Sequence, residues 1–212
     1  MNGLMGKILR VNLTEGTISE EEIPESIAKM FLGGGSLATK YLYDEVPAGV
    51  DPLGPENELI FMTGPLTGTP CPSAGRYSVV AKSPLTGTWA QANSGGFWAP
   101  AFKGTGYDGV IFEGISPKPV YLVCEDGKAE LRDASHLWGL KTPETTETIQ
   151  KELGDKFKVA CIGPAGEKLV KIACVMNDIH RAAGRCGLGA VMGSKNLKAI
   201  AAWGTQKPKL AD

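Results

Sequence analysis

Apolar positions alternate through Ile8, Val11 and Leu13 and then meet Thr14-Glu15-Gly16-Thr17, a pattern that predicts a β-hairpin at the start of the chain. The spacing then changes to that of helices. Ile27, Met30 and Phe31 form one apolar face, and Leu37, Tyr41 and Leu42 form another. Gly33 to Gly35 should end the first helix, and Ser36 is placed to cap the second. A Pro-rich connector leads to ELIFMTG, and from Glu58 to about Asp133 short apolar runs recur with turn signals between them. These runs (ELIFMTG, RYSVVAKS, TWAQAN, GVIFEGI, PVYLVCED and KAELRDA) predict antiparallel strands. A short helix is expected in GGFWAPAFKGTG and a longer one in PETTETIQKELGD, opened by Thr142 and Pro143. KFKVACIG, LVKIACVMND and LKAIAAW complete the strands. No internal repeat is visible. The pattern predicts a single α+β domain dominated by antiparallel sheet.

Composition narrows the functions available. Lys and Arg total 22 against 23 Asp and Glu, for a net charge of −1, so there is no basic excess to grip nucleic acid. No apolar run is long enough to span a membrane, and the N-terminus lacks the apolar core of a signal peptide; a soluble, cytoplasmic protein is expected. The cysteines Cys71, Cys124, Cys161, Cys174 and Cys186 are odd in number, and no pair is spaced C-x-x-C. Cys124, Cys161 and Cys174 sit in apolar runs and are expected to be reduced core thiols. The excess is in glycine, with 28 residues, which implies tight turns or backbone brought close to something else.

Three polar, glycine-containing loops adjoin predicted strands: Thr67 to Arg76, Ala92 to Gly96, and His180 to Asn196. Each offers backbone N–H groups, and two include arginine, which forks onto phosphate oxygens. Ordinary turn chemistry explains any one of them; three in one chain argue for a phosphorylated ligand held against a sheet. Gly187, Gly189 and Gly193 approach a dinucleotide fingerprint, but the spacing is one residue too long and no βαβ unit surrounds it. Gly193-Ser194-Lys195 reverses the order of a phosphate-binding P-loop. Conventional catalytic sets are missing. His136 reads as a surface or packed histidine, whereas His180 precedes the arginine-glycine loop and suits either a phosphate or its own loop. Trp89, Phe97 and Trp98 flank the second loop and suit core packing better than a planar ligand.

At these loops the sequence resembles the N-terminal domain of the tungsten-dependent aldehyde ferredoxin oxidoreductase family. The matching stretches include AGRYSVVAKSPLTGT, QANSGGFWAPAFKGTGYDGVIFEG, IGPAGEKLVKIACVMND and HRAAGRCGLGAVMGSKNLKAI, and the resemblance runs from about Gly6 to Trp203. It implies two mainly antiparallel sheets with a few short helices, which form the base beneath a bis-pterin cofactor carrying tungsten or molybdenum. Magnesium would join the pterin phosphates. Arg76 would lie between one pterin and an iron–sulfur cluster. Asn93, Ser94 and Gly95 would contact the cofactor, and the Asn93 carbonyl would reach magnesium. Ala182, Ala183, Gly184 and Arg185 would form the matching contact on the other pterin, with the Ala183 carbonyl as the second magnesium ligand. The family often has glycine where this chain has Cys186, so the backbone there must tolerate a side chain.

The resemblance assigns residues 1–212 to this one domain and no catalytic residue to the chain itself. The iron–sulfur cysteines and the groups acting on substrate belong to later domains of the family, expected to be absent here. The implied function is the cofactor-binding domain of an enzyme that oxidises aldehydes to carboxylic acids. Its partners are the remaining domains or a subunit carrying them, and ferredoxin as electron acceptor. Two alternatives stand beside it: a carrier or assembly module for the pterin cofactor without catalysis, and a family member acting on aromatic thioesters.

Overall fold

The structure, a computed structural model, describes residues 1–211. The first half of the chain runs β1 (Lys7–Asn12), β2 (Thr17–Glu22), α1 (Glu25–Phe31), α2 (Gly34–Glu45), β3 (Leu59–Thr63), β4 (Tyr77–Lys82), β5 (Trp89–Ser94), α3 (Trp98–Gly104) and β6 (Gly109–Glu113). The second runs β7 (Val120–Glu125), β8 (Lys128–Asp133), α4 (Thr142–Leu153), β9 (Lys158–Cys161), α5 (Pro164–Glu167), β10 (Val175–Asn177), β11 (Arg181–Ala183), α6 (Leu188–Ser194) and β12 (Leu197–Trp203). The strands form two six-stranded sheets, in the orders β2-β1-β6-β3-β4-β5 and β11-β10-β9-β12-β7-β8. Each is antiparallel except for one parallel pair, β1 with β6 and β7 with β12.

The sheets face one another, and this explains the apolar runs. Leu59 and Phe61 of β3 belong to the core between the sheets, whereas Ile60 and Met62 pack outward with Leu37, Ala38, Tyr41 and Leu42 of α2. A strand covered on both faces loses the usual alternation of apolar and polar residues. In the second sheet Tyr121, Val159 and Ala201 pack outward with Ile149 of α4. Trp98 anchors the space between the sheets: it is fully buried, its ring stands 4.6 Å from that of Tyr77, and its indole N–H donates to the Ile200 carbonyl at 3.0 Å. No helix among the described residues is long and apolar enough to cross a membrane.

The expected strands and both helical regions of the first half are present, with local corrections. α2 begins at Gly34 after a positive-φ Gly33, so Ser36 lies inside its first turn and is not the cap. The strand expected across LVKIACVMND is confined to Val175–Asn177, because residues 168–173 turn through hydrogen bonds such as Val170 N–H to the Ala165 carbonyl at 2.9 Å. The glycine-rich passage read as a loop holds β11 and α6.

The larger correction concerns repetition. Advancing every strand of the first sheet by six gives β8-β7-β12-β9-β10-β11, which is the second sheet's order read backwards, and every pair keeps its parallel or antiparallel sense. The chain is therefore a topological repeat whose halves share little sequence. The insertions hide it: α1 and α2 stand where the second half has α4 alone, and α5 interrupts β9 and β10. The halves also interlock, since α3 packs on β9 and β12 while α6 packs on β3 and β4.

Candidate functional site

β5 and β11 are the edge strands of their sheets, occupy equivalent places in the two halves, and lie against one another. Edge strands leave one row of backbone groups without a ladder partner. Asn93 and Ala183 each lie five residues before the helix that follows, at Trp98 and Leu188 respectively. The structure thus brings the strand that holds Asn93 and Ser94 beside the strand that holds Ala182 and Ala183, with Gly95 and Gly184 directly after them in the chain.

A buried polar network joins the two edges. The Asn177 side-chain oxygen accepts from the Ser94 hydroxyl at 2.6 Å and from the Tyr77 hydroxyl at 3.0 Å. Its amide donates to the Gly95 carbonyl and to Asp178 Oδ2, both at 2.9 Å. Asp178 Oδ2 also accepts from the backbone N–H groups of Phe97 at 2.6 Å and Trp98 at 3.2 Å, and so caps α3 from the opposite sheet. Burial pushes the Tyr77 phenol far above its usual range, so it serves as a neutral hydrogen-bond donor. Asn177, Asp178 and Tyr77 do not emerge from the sequence as functional residues; the one signal is an Asn-Asp pair at the end of an apolar strand, one residue short of His180 and Arg181.

The side chains at the two edges are otherwise committed. Asn93 Oδ1 accepts from the Ser78 hydroxyl at 2.7 Å and from the Gln91 amide at 3.1 Å, while the Ala183 side chain is buried in the core. Ala183 can therefore address a ligand only through its backbone, while at Asn93 the side-chain oxygen is engaged and the backbone and side-chain amide remain available. Gly95 differs from the glycines around it: a Cβ there would meet nothing within 4 Å, whereas one at Gly96 or Gly75 would overlap Asp178 or the Gly96 carbonyl.

Beside the edges opens a cleft of about 940 Å³, lined among others by Cys71, Arg76, Gly95, Phe97, His180 and Arg181. Among the described residues Asp178 is the one carboxylate in its lining, and it is spent on the N–H groups of α3. Arg76, Arg181 and Arg185 are exposed, and among the described residues none has a carboxylate within ion-pair distance. The cleft is electropositive and its guanidinium groups are free, an arrangement suited to anionic oxygens.

Other candidates sort themselves. His136 bonds Glu152 at 2.8 Å, and Glu152 also accepts from the Tyr121 hydroxyl at 3.0 Å, a surface pairing on the outer side of the second sheet. His180 lies exposed in the β10–β11 turn. Phe97 and Trp89 are largely exposed, and only Trp98 of the three aromatic residues is core. Cys124 and Cys161 are buried thiols as expected, but Cys174 is partly exposed. The glycines Gly187, Gly189 and Gly193 serve packing: a Cβ at each would overlap the carbonyl oxygen of Lys171, Cys174 or Gly166, respectively. Cys186 adopts a left-handed φ of 63°, which accounts for glycine suiting this position.

Comparison with known proteins adds to this geometry. Residues 8–204 match the family model described as aldehyde ferredoxin oxidoreductase, N-terminal domain. The chain is 55% identical to the tungsten-containing aldehyde ferredoxin oxidoreductase of Pyrococcus furiosus and 54% identical to that of Thermococcus kodakarensis, over 100% of this chain and 35% of each relative. Identity to the aliphatic sulfonate oxidoreductase, WOR-like subunit, of P. furiosus is 38%, over 94% of this chain and 34% of the relative. A chain from the active site complex of benzoyl coenzyme A reductase with 1,5-dienoyl-CoA superposes with a TM-score of 0.96, at 44% identity, over 98% of this chain and 32% of that one. This chain thus spans about a third of the length of the relatives it matches.

Proposed function

This chain belongs to the aldehyde ferredoxin oxidoreductase family, and from that premise we propose that residues 1–212 are the base on which a tungsten bis-pterin cofactor is held in an aldehyde-oxidising enzyme. The observation that carries this reading is the meeting of two equivalent edge strands, β5 and β11, beside uncommitted arginines. The residues present suit such a cofactor. Its metal takes sulfur from the pterins, so no cysteine cluster is required of this chain, while its phosphates require N–H groups and guanidinium groups. Arg76 and Arg185 would bind the phosphate-bearing ends. Backbone at Asn93 to Gly95 and at Ala182 to Gly184 would orient the two pterins, and the open space over Gly95 leaves room for close approach. The carbonyls of Asn93 and Ala183 would hold magnesium, in keeping with an Asn93 side-chain oxygen already engaged and an Ala183 methyl group buried in the core.

The bound cofactor supplies the redox chemistry, taking two electrons as an aldehyde and water become a carboxylic acid and two protons. The chain's own part is binding, orientation and a rigid floor. The iron–sulfur cluster, the substrate pocket and the ferredoxin contact fall to the remainder of the enzyme. Identity of 55% to aldehyde enzymes against 44% to the benzoyl coenzyme A reductase chain favours an aldehyde over an aromatic thioester.

The deciding experiment is elemental analysis for tungsten and molybdenum, with pterin fluorescence after acid oxidation, on the protein purified from its native source. Stoichiometric tungsten and pterin are expected. Arg76→Ala and Arg185→Ala should each lower cofactor content severalfold while the melting temperature of the cofactor-free protein is unchanged. Absence of metal and pterin from the native protein would refute the reading. So would full cofactor retention in both variants.

A further inference from the structure

Away from the cleft, the outer face of the first sheet carries a compact charged cluster. Arg10 of β1 binds both oxygens of Glu45, at the end of α2, at 2.6 Å each. It also reaches Glu113 of β6 at 3.1 Å and Glu21 of β2 at 2.8 Å. Glu58, just before β3, lies deeper: only 10% of its side chain is exposed, and its nearer oxygen is 4.0 Å from Arg10 Nη1. Its other oxygen, Oε2, is buried without a hydrogen-bond partner among the described residues. Lys195 donates to the Gly114 carbonyl at 2.9 Å, and the Tyr41 hydroxyl donates to Glu21 at 3.0 Å, so neither supplies that partner.

A buried carboxylate oxygen without a partner is costly, and four carboxylates against the Arg10 guanidinium and the nearby buried Lys195 ammonium leave a negative excess. Oxygens of Glu45, Glu58 and Glu113 all lie within 4.8 Å of one another. We propose that these three carboxylates form a binding site for a divalent cation of calcium size. An all-oxygen, anionic set selects a hard cation over zinc. Calcium–oxygen bonds of about 2.3–2.6 Å place opposite ligands about 4.6–5.2 Å apart, and magnesium bonds place them about 4.0–4.2 Å apart. Oxygens within 4.8 Å of one another can share one cation of either size, and an irregular set crowded by Arg10 suits the flexible calcium shell better than the near-ideal octahedron that magnesium demands. Arg10 uses one lone pair of each Glu45 oxygen and leaves others free, and the outward exposure of Glu45 and Glu113 lets water complete the shell. The ion would give Glu58 its missing partner and tie the end of α2 to β3 and β6.

Calorimetric titration of calcium chloride into EDTA-treated, dialysed protein near neutral pH is expected to show one site per chain. Glu58→Gln keeps the shape of the side chain and removes its charge, and should weaken binding by about tenfold or more. If that variant does not fold, Glu113→Gln provides the same reading. Absence of heat up to millimolar calcium in the wild-type protein would overturn the proposal. So would undiminished affinity in the variants, or magnesium binding as tightly as calcium.

Discussion

Asp178 draws three donors onto a single oxygen, the N–H groups of Phe97 and Trp98 and the amide of Asn177. Truncation leaves the first turn of α3 uncapped and unfastens it from the opposite sheet. Asp178→Ala should therefore destabilise the fold by about 2 kcal/mol, and Asp178→Asn by less, as read from the midpoint of urea unfolding. The cysteines make a second test. Cys124 is fully buried, and burial of Cys161 pushes its thiol up to about 11, so neither forms thiolate near neutral pH. Alkylation at pH 8, followed by mass spectrometry, should label exposed Cys71 and spare Cys124 and Cys161 until the protein is denatured. Residues at this scale were unevenly legible. Arg76, Gly95 and Arg185 stand out in sequence as free arginines and glycine beside strands. Asn177 and Asp178 do not, because their partners lie about 80 residues away in the chain and only folding brings them together.

Strands with an apolar run bounded by turns were readable with little ambiguity, and so was α4, whose Thr142 and Pro143 mark its start. α6 was not. Its sequence, LGAVMGS, carries two glycines that disfavour helix by propensity. Tertiary contact reverses that preference, since Gly189 and Gly193 let the helix touch the backbone at Cys174 and Gly166, where any Cβ would overlap a carbonyl oxygen. Gly193→Ala should accordingly cost about 3 kcal/mol despite its better helix propensity. Gly95→Ala makes the contrast. A methyl group there has open space around it and no left-handed φ to oppose it, so chemical denaturation should register a change within about 0.5 kcal/mol. The same methyl group would stand over the edge strands, and cofactor content of the native enzyme should fall with stability unchanged.

The whole molecule repeats in topology where the sequence does not. Side-chain pattern records burial, and the two halves bury their outer faces under different helices, α2 in one and α4 in the other. Each half is also incomplete, since α3 and α6 pack across the divide and Trp98 donates to Ile200 of the other half. Residues 1–116 expressed alone should show no cooperative thermal transition, and mixing with residues 117–211 should restore one; calorimetry distinguishes the two. The interlock also has a bearing on ancestry. A chain of half this length with the same topology would leave its helix without a sheet to cover, and a second copy of itself could meet that need through a twofold axis. Along such an axis the two edge strands become one surface presented twice, ready for a ligand that is itself nearly symmetric. Duplication and fusion would then free each copy to change separately: Asp178, just after β10, caps α3, whereas Ser83, just after β4, reaches the Cys186 carbonyl ahead of α6, one place with two different chemistries.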